Sequence, residues 1–178
     1  MSWISAIIVA AVCGTGGEPM AMLLKSEAFA DGAPIPKQYT VEGQDLSPPL
    51  AWDNVPANCQ EMSLICDDSD APSKAPWVHW VLYKIPADVR QLAPGVPAVA
   101  RPQSPAGAVE GHNSWKSGNT LGYRGPAPPP GRVHHYHFRL YALDTKLTLA
   151  EGADRAAVDK AMTGHILAKA LLIGTFQR

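Results

Sequence analysis

The sequence predicts a mainly β protein, an antiparallel β sandwich with a few peripheral helices. From Met22 onward, short apolar runs alternate with segments rich in Pro, Gly, Asn and Asp, a pattern typical of many short strands joined by turns. Only one segment, near the C-terminus, has a clear helical pattern. The chain has 178 residues, 46% of them hydrophobic and 17% charged, which suits one globular domain with a substantial core.

Three apolar segments predict the main strands, at residues 63–66, 78–85 and 136–143. The second segment is apolar on both faces, so we expect a central strand that is covered on both sides. Before the third strand, residues 103–120 have no clean period and contain many glycines and polar residues. This stretch predicts a long surface loop, and such loops often carry function.

The helix is predicted to begin after Asp154, whose carboxylate can accept a backbone N–H of the first turn. Residues 172–176 then either extend this helix or form a last strand. The apolar ridge that predicts the helix has a spacing of four residues and consists of Val158, Met162, Ile166 and Ala170, with Leu167 and Leu171 beside it.

Residues 1–21 are predicted to be an extension that precedes a single domain at residues 22–178. Residues 4–12 are almost wholly apolar. That run is much shorter than the ~20 residues of a membrane-spanning helix, so we predict no membrane span.

Three interpretations of the extension remain open. It could be a secretory signal, although no Lys or Arg precedes Lys25, or a leader that ends at a lipidated Cys13. Translation could also start at Met20 or Met22, which would leave residues 1–19 as extra sequence. We predict a cytoplasmic protein, or a periplasmic or lipid-anchored one if residues 1–19 are a signal.

Charge and cysteine content argue against several classes of protein. The net charge of -1 gives no electrostatic reason to expect a nucleic-acid partner. The three cysteines, Cys13, Cys59 and Cys66, cannot all pair within one chain and match no metal-ligand spacing. Buried or incidental thiols are therefore favoured over a disulfide framework, and we predict neither a metal nor a cofactor.

The third strand places its histidines on two faces. Because side chains alternate along a strand, His134 and Tyr136 are predicted to point toward a core or pocket edge, on the apolar face. Taken alone, His134 is more simply interpreted as a core imidazole bound to a backbone carbonyl. The apolar face continues through Phe138 and Leu140, and the solvated face carries His135, His137 and Arg139.

The second strand contains His79, which by the same alternation shares a face with Trp77, Val81 and Tyr83. A single histidine in such a place is more often structural than functional. Two of them, His79 and His134, each adjoin a loop rich in Asp, Gly or Pro. That pairing favours a shared site.

The turn that follows the first strand carries two carboxylates. Asp68 and Asp70 are two residues apart, so in an extended segment they would face the same way, and Pro72 stiffens the turn. Two close carboxylates raise one pKa unless donors or cations compensate them. The alternative is an ordinary turn with solvated carboxylates, in which Asp67 is part of the same solvated surface.

Residues 125–131 contain four prolines between two glycines. Because proline fixes φ, this loop is predicted to hold its shape at little entropic cost and to form a rigid pocket wall. By itself the loop indicates a rigid turn and nothing more.

The acidic turn and the proline loop, each followed by a strand histidine, form a pair of motifs. They read Asp68-Ser69-Asp70-Ala71-Pro72 with His79, and Gly125-Pro126-Ala127-Pro128-Pro129 with His134-His135-Tyr136. With these motifs the chain resembles the phosphatidylethanolamine-binding protein family, also called Raf kinase inhibitor-like proteins, and especially its short bacterial branch. Residues 46–52, 141–144 and 162–170 support the likeness, which covers about residues 22–176.

The resemblance implies Greek-key connections in the sandwich and a small cleft for phosphate-like anions or phospholipid headgroups. Carried over by position, the cleft would be lined by Asp68, Asp70, Pro72, His79, Gly125, Pro128, His134 and Tyr136. The chain departs from the family pattern at three positions. Ser69 replaces a proline, Ala127 replaces a glycine that lets backbone approach the ligand, and His135 stands where arginine is common. The last two changes would narrow the mouth or weaken the attraction for anions.

We therefore predict a non-catalytic protein that binds a small anionic or phosphorylated ligand. Eukaryotic relatives are associated with kinase and protease inhibition, so the resemblance implies a protein partner of that kind, and the sequence also allows a homodimer. The alternative is a hydrolase in which Asp68, His79 and His134 hold a divalent metal or a histidine acts as general base. Against it, no Ser or Cys lies in a nucleophile elbow.

Overall fold

A computed structural model describes residues 20–178 of the chain. The interpretations of residues 1–19, as a signal, as a leader with a lipidated Cys13 or as extra sequence, lie outside the described residues. Within the described part, no helix combines the length and the hydrophobicity that a membrane span requires.

Two antiparallel sheets make up the fold, as predicted. The smaller sheet has the order β1-β2-β5 and consists of β1 (Leu23–Lys25), β2 (Leu50–Asp53) and β5 (Gln91–Leu92). The larger sheet has the order β6-β4-β3-β7-β8 and consists of β3 (Glu61–Asp68), β4 (Trp77–Pro86), β6 (Val109–Glu110), β7 (His134–Leu143) and β8 (Ile166–Phe176). The helices are a 3-10 turn (Lys37–Tyr39) and α1 (Arg155–Met162).

The larger sheet is covered on both faces. On one face the main core joins it to the smaller sheet, with Trp80 and Phe138 packed in the same cluster as Trp52. On the other face, Val81 packs in a second cluster with Val158 of α1. The prediction that residues 78–85 form a strand covered on both sides is therefore confirmed. The strands predicted at residues 63–66 and 136–143 are also present, each extended by at least two residues.

The C-terminal helix begins as predicted but is much shorter. Asp154 accepts a hydrogen bond from the Ala157 backbone N–H at 2.9 Å and so caps the first turn. The helix then ends at Met162, Gly164 adopts a φ of +83°, and Ile166 begins β8. The prediction that the helical ridge continues through Ile166 and Ala170 was therefore wrong.

Pairing with a neighbouring strand explains this difference. β8 pairs with β7 along almost its whole length, from Leu143↔Ile166 to His134↔Phe176. Its buried residues, Ala170 and Leu172, follow the two-residue period of a strand. An apolar segment such as 166–173 fits both the period of a helix and the period of a strand, and only the tertiary partner decides between the two.

A β-bulge at His79 sets the geometry of the site. Cys66 pairs with Trp80, but the next residue, Asp67, pairs with Val78, which leaves His79 as an extra residue on β4. The alternation of β4 therefore inverts at this point. Consequently, the prediction that His79 shares a face with Val81 and Tyr83 was wrong. Those two side chains belong to the cluster beside α1, whereas His79 and Trp77 lie toward the opposite face, where a cavity opens.

Candidate functional site

A cavity of about 240 Å³ lies between the turn that follows β3 and the proline loop that precedes β7. The two motifs are far apart in the sequence and meet here because β3 and β7 are neighbours, with Asp68 opposite Tyr136. The polar lining consists of Asp68, Ser73, His79 and His134, and the apolar lining of Ala71, Pro72, Trp77, Trp115, Ala127, Pro128 and Pro129.

Asp68 holds the imidazole of His134. Asp68 is the last residue of β3 and His134 the first of β7, and Asp68 Oδ2 lies 2.7 Å from His134 Nδ1. Both side chains are almost fully buried, with 2% of His134 and 5% of Asp68 exposed. The other carboxylate oxygen, Oδ1, accepts the Asp70 backbone N–H at 2.8 Å. Since Nδ1 is engaged by Asp68, Nε2 is the His134 ring nitrogen that remains for a ligand.

His79 is fixed in the neutral form by its surroundings. Its Nδ1 lies 2.6 Å from the carbonyl oxygen of Arg124. A carbonyl can only accept, so Nδ1 carries the hydrogen and Nε2 is an acceptor. Burial lowers the pKa of His79 to about 4 because the interior disfavours the imidazolium charge. The ring packs edge-on against Trp115 and Tyr136, at centroid distances of 4.9 and 5.0 Å.

The charges of the cavity lining are few. No Lys or Arg is among the lining residues, His79 is neutral, and the Asp68 carboxylate lies against His134 Nδ1. His134 Nε2 is therefore the atom placed to meet an anion, and the uncharged Nε2 of His79 can accept a hydrogen from the same ligand.

Three of the predicted site residues lie outside the lining. The Asp70 side chain turns away from Asp68, and its Oδ2 accepts the His135 backbone N–H at 2.9 Å and lies 2.7 Å from His135 Nδ1. That contact lowers the pKa of Asp70. Gly125 has a packing role, since its N–H donates to Asp45 Oδ1 at 2.7 Å. A Cβ there would lie 2.5 Å from the Tyr39 carbonyl oxygen.

Tyr136 is also absent from the lining. It is fully buried, with its ring against His79, and its hydroxyl finds no hydrogen-bond partner among residues 20–178. Burial raises the pKa of this hydroxyl, so it stays protonated. Tyr136 therefore supports His79 from behind, while Pro72, Pro128 and the two histidines lie in the lining.

Asp67 was expected to be part of a solvated surface, and that prediction was wrong. Its side chain is completely buried on the face of the sheet that carries α1. Arg139 Nη1 donates to both of its oxygens at 2.6 Å, and Arg155 Nη1 donates to Oδ2. Arg155 comes from α1, which lies about ninety residues away in the sequence, so no local pattern could have indicated this partner.

Two tryptophans of the lining were missed by the sequence analysis. Trp77 precedes His79 on β4, and Trp115 reaches the cavity from the loop that follows β6, so residues 103–120 are not the continuous surface loop that was predicted. The Ser114 backbone N–H donates to the Val78 carbonyl at 2.9 Å and so ties this loop to β4. The available signal was a tryptophan in an otherwise polar loop, because such a large apolar side chain is rarely left in solvent.

The arrangement gives no support to a metal site. Within residues 20–178, no three side chains of His, Cys, Asp or Glu come close enough together to bind one ion. Asp68, His79 and His134 line one cavity, but Asp68 and the Nδ1 of each histidine already have protein partners.

Comparison with known proteins places the chain in a family. The sequence model of the family described as phosphatidylethanolamine-binding protein matches residues 25–177. A UPF0098 protein of Methanothermobacter thermautotrophicus is 52% identical over 157 residues, which cover 88% of this chain and 99% of that protein. A Mycobacterium tuberculosis protein named as a candidate lipoprotein, LppC, is 40% identical over 157 residues, which cover 88% of this chain and 72% of that one.

Two crystal structures share the fold. The first is a candidate phosphatidylethanolamine-binding protein homologue, CT736, from Chlamydia trachomatis; it superposes with a TM-score of 0.78 at 38% identity and covers 89% of this chain and 98% of that chain. The second, YbcL from Escherichia coli, has a TM-score of 0.79 at 26% identity and covers 89% of this chain and 99% of that chain. With nearly all of the described chain matched in sequence and in fold, the protein belongs to the phosphatidylethanolamine-binding protein family.

Proposed function

We propose that the protein binds a small phosphorylated or otherwise anionic ligand, or a phospholipid headgroup, in the cavity between the two motifs, without catalysing a reaction. The observation that carries this proposal is the buried Asp68–His134 pair in the cavity wall. A buried imidazole that a carboxylate holds in place can present a charged N–H to an anion, and hydrogen bonds of this type are among the strongest in proteins.

The rest of the lining fits such a ligand. His79 Nε2 can accept a hydrogen from a protonated phosphate oxygen or from an ammonium group. Trp77 and Trp115 pack edge to face at 5.4 Å, and with the prolines they form an apolar wall. The volume of about 240 Å³ accommodates a phosphate ester with a short substituent. A longer lipid chain would have to leave through the mouth.

A binding role fits this arrangement better than hydrolysis does. The site contains no nucleophile held by a base, since Ser73 Oγ donates to the Ala75 carbonyl. A kinase or protease as the regulated partner remains a prediction from the family resemblance.

Calorimetric titration of the whole chain with inorganic phosphate tests the proposal. We expect affinity to weaken as the pH rises, because an imidazole whose Nδ1 is engaged by a carboxylate can donate to an anion from Nε2 only when both ring nitrogens carry hydrogen. His134→Ala should lower the affinity at least about tenfold, since one charge-assisted hydrogen bond is lost.

His165→Ala is the matched control, because His165 forms a similar pair with Asp144 at 2.9 Å on the surface. An affinity that does not change from acid to alkaline pH, or equal effects of the two substitutions, would contradict the proposal.

A further inference from the structure

A second cavity adjoins the first at its mouth. It has a volume of about 290 Å³ and is lined by Pro72, Pro129, Pro130, Arg132 and His134. Three of these residues, Pro72, Pro129 and His134, also line the inner cavity. The two spaces therefore share a wall at His134, and a ligand bound to this imidazole can extend into the outer one.

The outer cavity differs from the inner one in charge. Its lining contains Arg132 and no carboxylate, whereas the inner lining contains Asp68 and no Arg or Lys. Arg132 Nη2 donates to the backbone carbonyl of Asp70, which fixes the guanidinium beside the mouth. The Asp70 carboxylate is itself engaged by His135. Within the described residues, Arg132 forms no ion pair, so most of its five N–H donors remain for a ligand.

We propose that Arg132 forms an outer anion subsite, so that the preferred ligand is a phosphate ester that carries a second anionic group a few bonds from the phosphate. This inference rests on the proposed function of the inner cavity. The phosphate occupies the inner cavity at His134, and the second anionic group meets the planar guanidinium fork, which suits carboxylate and phosphate oxygens.

Two ligands that differ by one carboxylate test the subsite. O-Phosphoserine and phosphoethanolamine both carry a phosphate and an ammonium group, but only phosphoserine has the second anion. For the unmodified chain we expect phosphoserine to bind about fivefold tighter, the effect of one partly exposed ion pair of about 1 kcal/mol. Arg132→Gln should abolish this preference and change phosphoethanolamine affinity less than twofold. Arg132→Lys should keep part of the preference because the charge remains.

The matched control is Arg101→Gln, since Arg101 pairs with Glu151 outside both cavities and its loss should leave the preference intact. Equal affinity of the unmodified chain for the two ligands would overturn the subsite. A preference for phosphoserine that survives Arg132→Gln would also overturn it. An equal loss of affinity for both ligands in that variant would do the same, because it would mean that Arg132 acts only by holding Asp70. If neither ligand binds the unmodified chain, the proposed function fails as well.

A vesicle experiment distinguishes a lipid headgroup from a free phosphate ester as the ligand. Phosphatidylcholine vesicles doped with phosphatidylserine present the phosphoserine group on a lipid, and those doped with phosphatidylethanolamine present the phosphoethanolamine group. A preference for phosphatidylserine that Arg132→Gln removes would identify a lipid headgroup. Binding of soluble phosphoserine without vesicle binding would identify a free phosphomonoester, and both results support the subsite. Vesicle binding with the same strength for both lipids would count against it.

Discussion

Asp67 and Asp68 are adjacent on β3 and both are buried, yet their surroundings differ completely. Asp67 faces α1 and is held by two arginines, Arg139 and Arg155. Asp68 faces the cavity and is held by one histidine, His134. Because arginine stays protonated at any physiological pH, the first carboxylate has a permanent counter-charge. The second has a partner that lines the cavity and keeps Nε2 for a ligand, and this difference distinguishes a structural carboxylate from one that can respond to a ligand.

A third buried carboxylate extends the comparison. Glu110 is completely buried, and among residues 20–178 its side chain bonds to the Trp80 indole N–H alone, whose nitrogen lies 2.9 Å from Oε2 and 3.2 Å from Oε1. Burial raises the pKa of Glu110 to about 9, so this carboxyl is neutral at pH 7. Within the described residues, the three carboxylates are thus held by two arginines, by one histidine and by no basic side chain, and substitution of each should have a different effect.

The largest effect is expected for Asp67→Asn. The substitution removes the carboxylate that pairs with Arg139 and leaves Arg155 with the partly exposed Asp159 carboxylate at 3.2 Å, and breaking a buried ion pair typically costs 3–5 kcal/mol. Since 29% of the Arg139 side chain and 25% of the Arg155 side chain are exposed, we expect the lower end, about 3 kcal/mol. Urea unfolding measures this loss. A midpoint equal to that of the unmodified chain would show that the pair contributes no net stability.

Asp68→Asn should have a smaller effect on stability and a larger one on binding. The amide keeps the shape and can still accept from the Asp70 N–H, so we expect a stability loss of about 1 kcal/mol. It lacks the negative charge that strengthens the hydrogen bond to His134 Nδ1, so the imidazole is held less firmly and phosphate affinity should fall about tenfold. If phosphate affinity stays the same while stability falls as far as in Asp67→Asn, the distinction between the two carboxylates is wrong.

Glu110→Gln should stabilise the protein at alkaline pH. Burial raises the pKa from 4.5 to about 9, so between these values the folded chain retains a proton that the unfolded chain loses. Stability therefore falls as the pH rises through this window. Glutamine cannot ionise, so the variant should gain about 2 kcal/mol over the unmodified chain at about pH 8, and much less near pH 5. Urea midpoints of both proteins, measured across this pH range, give the difference in stability. If the difference between the variant and the unmodified chain is the same at every pH, the prediction is refuted.

The smallest effect is expected for His135→Arg, which introduces the residue common in the family. The His135 side chain is 50% exposed and pairs with Asp70 at the surface, and neither residue is in the lining of the cavity. Phosphate affinity should change less than twofold and stability by less than about 0.5 kcal/mol, as for exposed pairs in general. A clear gain in affinity would restore the original expectation that His135 weakens the attraction for anions.

Much of the site could be predicted from sequence. Alternation along β7 put His134 and Tyr136 on the buried face and His135 on the exposed one, because a strand has a fixed two-residue period. The paired motifs put Asp68, Pro72 and Pro128 beside one another. The same reasoning was wrong for His79, since a bulge inverts the alternation of β4. It was also wrong for Asp70, whose side chain turns outward to His135.

The sequence by itself determined the three central strands β3, β4 and β7, the helix cap at Asp154 and the two motifs, because each depends on periods and local hydrogen bonds within a few residues. The tertiary structure alone decided that residues 166–176 form a strand, that Arg155 neutralises Asp67, and that Trp115 closes the cavity. Each of these depends on a partner that is remote in the chain. Partners of this kind become neighbours only when burial and strand pairing bring the segments together.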